Sequence, residues 1–104
     1  MIKYEDLDQY IEPFLIKYGL HVYKISAHDT SIRSIDVVDD SGDVYQINIT
    51  INENNISIGI WDKKVDGKGK TSNCKISSFE NKLTKAYEKI EDWITSSGKS
   101  RTPV

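Results

Sequence analysis

The 104 residues predict an α+β fold, a four-stranded antiparallel meander with an N-terminal and a C-terminal helix packed on one face, in the order α-β-β-β-β-α. Three observations predict it. Tyr4, Leu7, Ile11, Phe14 and Tyr18, and again Ile76, Phe79, Leu83, Ala86, Ile90 and Trp93, recur at alternating intervals of three and four, which places each set on one side of a helix. Between them, from about Leu20 to Asp62, the apolar period falls to two and β-branched residues dominate. Short clusters of Asp, Ser, Gly and Asn interrupt that stretch, and connections so short join only antiparallel neighbours.

The first helix is expected from about Lys3 to Tyr18, with Gly19 as the residue that ends it in a left-handed conformation. Pro13 lies inside this span, where it removes a hydrogen bond and crowds the carbonyl of Gln9. Either the helix kinks there or Pro13 opens a second short helix. The first strand, roughly Leu20 to Ser26, has Val22 and Tyr23 competing for its inward face. In the next three strands the inward sets are Ile35 and Val37, then Tyr45, Ile47, Ile49 and Ile51, then Ile56, Ile58 and Ile60. Pairing Val37 with Tyr45 and Ile35 with Ile47 leaves the loop Asp40-Ser41-Gly42, with Gly42 at positive φ in a bulged hairpin. Pairing Ile51 with Ile56 and Ile49 with Ile58 leaves a tight turn at Asn52-Glu53-Asn54-Asn55. Residues 62–75 read as a basic loop, with five lysines against two aspartates. The second helix is expected to start at a capping box of Ser77 and Glu80, run to about Thr95 and end before Gly98. One domain therefore covers 1–98, and the polar residues 99–104 read as a flexible tail.

That register assigns the other sheet face as well. Ser34, Asp36, Val38, Val44, Gln46, Asn48, Thr50, Ser57, Gly59 and Trp61 point away from the helices, with Asp36, Gln46 and Trp61 on one cross-strand row. The face is polar and open to water. Trp61 is its exception, either an anchor for a partner or a side chain folded over the sheet edge. Asp39, Asp40 and Asp43 gather at the hairpin tip, where they serve the turn and also offer a hook to a basic partner.

Net charge is −2, but residues 1–60 carry ten acids against four bases and residues 61–104 six acids against ten bases. Such polarity steers a charged macromolecule unless the fold interleaves the two signs. Acids at positions 5, 6, 8 and 12 break any apolar leader in the first twenty residues, so a cytoplasmic protein without a membrane partner is expected. The lone Cys74 agrees with a reducing compartment, as a solvated loop thiol or a reactive one.

No enzyme is expected. Gly69-Lys70-Thr71 resembles the end of a phosphate-binding loop, yet the glycine required five positions earlier is Lys64. His21 and His28 have no second ligand at metal spacing, and neither Cys74 nor any serine has a local base. No cofactor follows. The basic 62–75 segment has no aromatic residue to stack on bases, which makes nucleic acid a poor fit.

In size, acidic first half and one open sheet face, the layout resembles the small immunity proteins that bacteria encode beside secreted nuclease toxins, including those of contact-dependent growth inhibition. The resemblance implies a cognate protein toxin, basic in charge, as partner. Asp36, Asp39, Asp40, Asp43, Gln46, Asn48 and Trp61 are the candidate contact residues from the sheet reading. A secretion chaperone or adaptor is the alternative; it is also small, acidic and α/β, but its usual helix between strands is missing here.

Overall fold

A computed structural model describes residues 2–27, 30–63 and 69–101, and within 21–31 the backbone alone. The chain runs α1 (Tyr4–Tyr18), β1 (His21–Ala27), β2 (Thr30–Val38), β3 (Val44–Asn52), β4 (Asn55–Asp62), β5 (Gly69–Cys74) and α2 (Ile76–Ser96). The antiparallel meander of the first four strands and its two flanking helices are as expected. A fifth strand extends the sheet, giving the order β1-β2-β3-β4-β5. It occupies part of the segment expected to be a loop. Four of its six residues are exposed, and an edge strand needs no apolar alternation to pair through its backbone, so period alone does not reveal it.

Register follows the isoleucines. Ile35 pairs with Ile47, Val37 with Tyr45, Ile49 with Ile58 and Ile51 with Ile56. These strand residues meet Leu7, Ile11 and Phe14 of α1 and Phe79, Leu83, Tyr87, Ile90 and Ile94 of α2 in one core. On β1 the backbone pairs Val22 with Ile35. Gly42 has φ +85°, and Gly42 N–H donates to the Asp39 carbonyl at 3.0 Å, as the bulged hairpin requires. Glu53 takes positive φ in the β3–β4 turn.

α1 is continuous through Pro13, so Pro13 does not open a second helix. Both Pro13 and Gln9 are exposed, so water replaces the lost helical donor. Gly19, at φ 62°, ends the helix, with Leu20 N–H returning to the Leu15 carbonyl at 2.9 Å. α2 departs from expectation at its start. Lys75, not Ser77, is its N-cap, and the Ser77–Glu80 box does not form. With β5 ending at Cys74, one linking residue remains, and the chain must turn into the helix before Ser77 is reached. The buried stripe of α2 is also rotated toward Tyr87 and Ile94, leaving Ile76, Ala86 and Trp93 half-buried. Tyr87 stacks on Tyr18 with ring centres 4.0 Å apart, which draws the stripe toward α1.

Residues 99–101 are a clasp rather than a loose tail. The Ser100 carbonyl accepts from Asp40 N–H at 2.8 Å, and Arg101 bridges to Asp39 as an isolated β-pair. The Arg101 guanidinium donates to Tyr87 Oη at 2.9 Å and to the Gly19 carbonyl at 3.2 Å. The composition of a frayed end is no guide here, because its basic groups find partners far away in sequence. Residues 102–104 lie outside the described residues.

Candidate functional site

The open face is built by the cross-strand rows. One row runs Asp36, Gln46, Trp61 and Gly69, and the next Ser34, Asn48, Gly59 and Thr71. The first three residues share a row as expected, and Asn48 is beside them. Their polar groups satisfy one another. Gln46 Nε2 donates to Asp36 Oδ1 at 3.2 Å, Ser34 Oγ to Asn48 Oδ1 at 2.6 Å, and Ser57 Oγ to Asn73 Oδ1 at 2.6 Å.

Within this frame Trp61 is the apolar prominence. Its indole lies across the strands over two glycines. A Cβ on Gly69 would stand 2.0 Å from Trp61 Cε3, and one on Gly59 3.1 Å from Trp61 Nε1. Any side chain at Gly69 would lift the ring. Seated this way, Trp61 keeps 39% of its surface exposed. The ring lies over the β5 side of the sheet and still faces water. The isolated signal in the sequence was Gly59, a glycine in the middle of a strand, which marks a close approach of something large. Ile16 is 82% exposed on α1, beside the exposed Lys17.

The hairpin tip is less of a hook than its composition implies. Asp39 is 1% exposed, and its Oδ1 accepts from Ser41 N–H at 2.9 Å and Asp43 N–H at 3.0 Å. Tyr45 Oη donates to Asp39 Oδ2 at 3.3 Å, and Lys99 Nζ is 3.8 Å from the same oxygen. Lys99 also pairs with Asp43 at 2.6 Å. Asp39 is thus the internal ligand of its own turn, and the charge of Asp43 is offset by Lys99. Asp40 alone of the three is exposed.

Burial, with the carboxylates of Asp39 and Asp62 beside it, holds the Tyr45 phenol above its ordinary value. The hydrogen bond to Asp43 holds Lys99 up as well. Burial pushes the Cys74 thiol up against the opposing pull of Lys82, so at neutral pH it is a thiol and a weak nucleophile.

Gly69-Lys70-Thr71 lies at the start of strand β5 and does not run straight into a helix, as a phosphate loop must. Among the described residues no three of His, Cys, Asp and Glu stand where they hold a metal ion, and no helix is long and apolar enough to cross a membrane. His28 lies outside the described residues, as do positions 64–68 of the basic segment. On the helix side, Arg33 is buried in a two-pronged pair with Asp8, at 3.1 and 3.3 Å, and its guanidinium covers the Tyr4 ring at 4.9 Å. That pair clamps α1 to the sheet. Comparison with protein-family models, curated proteins and solved structures finds no match to this chain.

Proposed function

We propose that the chain is a cytoplasmic protein-binding inhibitor of the immunity-protein kind, docking a basic toxin domain on the open sheet face. The observation that carries this reading is Trp61, a large aromatic half-open to water and held flat by Gly59 and Gly69 within a frame of mutually bonded polar side chains. A ring already immobilised loses little freedom on binding, and flat aromatic anchors dominate interface energetics. The polar frame supplies the rim. Asp36 and Asp40 supply negative charge beside it, in a half of the chain that carries ten acids against four bases. Such charge raises the association rate with a basic partner.

The test is neutralisation. The chain is co-expressed with the C-terminal domain of the protein encoded immediately upstream, and growth and complex formation are scored. Rescue by the wild type and its loss with Trp61→Ala support the reading. Absence of any complex overturns it, and equal rescue by both places the contact on another face.

A further inference from the structure

On the side of the sheet opposite Trp61, a groove of about 230 Å³ runs between β5 and α2. Ile58 and Ile60 form its floor, and Lys70, Lys82, Lys85 and Lys89 form its rim. The arrangement follows from spacing. Lys82, Lys85 and Lys89 repeat at intervals of three and four along α2, so they share one side of the helix, with Asp92 one turn beyond Lys89 at its end, while Glu80 and Glu91 fall on the other side. Lys70 pairs with Ile60, which turns it to the helix face of the sheet. None of the four lysines makes a hydrogen bond or an ion pair among the described residues.

β5 is also the last strand of the sheet, so its outer backbone N–H and C=O groups meet no further strand among the described residues. Such an edge accepts a strand from another chain, and the lysines decide which. A second copy would set four lysines against four. An acidic strand neutralises them. Nucleic acid fits less well, because the groove has no aromatic lining for bases and the outward carbonyls of the edge repel phosphate while accepting peptide N–H groups.

We propose that the β5 edge and its lysine groove take an extended acidic segment of a partner protein, added as a sixth strand, with every second side chain an aspartate or glutamate facing α2. The groove lies on the opposite side of the sheet from the Trp61 ring, although that ring packs on Gly69 at the start of β5.

The experiment is a titration of the isotopically labelled full chain, followed through its amide resonances. The probe is a peptide of about eight residues alternating glutamate and valine, taken to roughly millimolar concentration. Shifts concentrated in Gly69–Cys74 and Lys82–Lys89 are expected. Affinity should fall about tenfold in the Lys82→Glu/Lys85→Glu variant, and by at least as much when alternate peptide amides are N-methylated. No shifts at that concentration, shifts centred on Trp61, or equal binding of the N-methylated peptide would overturn the proposal. Tighter binding of a single-stranded oligonucleotide of equal charge would overturn it in favour of nucleic acid.

Discussion

At the scale of single residues, two glycines do two different jobs. Gly42 has open space around its Cβ position, so its only demand is positive φ. Gly42→Val should therefore cost about 2 kcal/mol in a urea titration through backbone strain alone. Glu53, at φ 55° without glycine's freedom, gives the converse expectation, with Glu53→Gly neutral or stabilising by about 1 kcal/mol. Gly69 is different, because what a Cβ would meet there is the indole of Trp61. Gly69→Ala should cost roughly 1–3 kcal/mol in the wild type and close to nothing in a Trp61→Ala background. Additive effects in that double-mutant cycle would mean that the ring does not lie on the glycine. Gly42 was readable from turn chemistry. The seat of Trp61 was not, because neither the cross-strand neighbour Gly69 nor β5 itself leaves a periodic trace.

Elements were readable to the degree that they bury one regular face. The isoleucines of β2, β3 and β4 specify their own register, since a slip of one residue would turn them all to water. β5 and the clasp of residues 99–101 bury little and bond mainly through backbone and charge, which no hydropathy pattern records. The clasp gives a direct expectation. Truncation after Gly98 removes the contacts of Lys99, Ser100 and Arg101 with the hairpin tip, Tyr87 and Gly19, and should lower Tm by roughly 5–15 °C. Asp39→Ala leaves the amides of Ser41 and Asp43 without their acceptor and should cost about 1–3 kcal/mol. Asp39 looked from sequence like one of three equivalent surface acids, because composition does not say which carboxylate folds inward. On α2, Leu83→Ala should cost about 2–5 kcal/mol and Lys85→Ala almost nothing, as calorimetry would show.

For the molecule as a whole, charge links stability to pH and sets the terms of binding. Tyr45, Tyr87 and Lys99 all hold their protons more tightly in the folded state. Their contribution is therefore complete below their ordinary pKa values and is lost as pH rises past about 10, so denaturant midpoints should fall steeply there. Tyr45→Phe should flatten that fall while lowering stability at neutral pH through loss of the Asp39 hydrogen bond. The fold pairs part of the charge across the chain, Lys99 with Asp43 and Arg33 with Asp8, and leaves Asp36 on the open face, Asp40 at the nearby tip and four lysines around the groove. The proposed function requires the open face to be an interface centred on one ring. The most direct measurement is the dissociation rate of the proposed complex with a toxin domain, for the wild-type chain and for Trp61→Ala. Dissociation about thirtyfold faster in the variant, equivalent to about 2 kcal/mol, is expected, with the association rate nearly unchanged. Identical dissociation rates for the two proteins would contradict it.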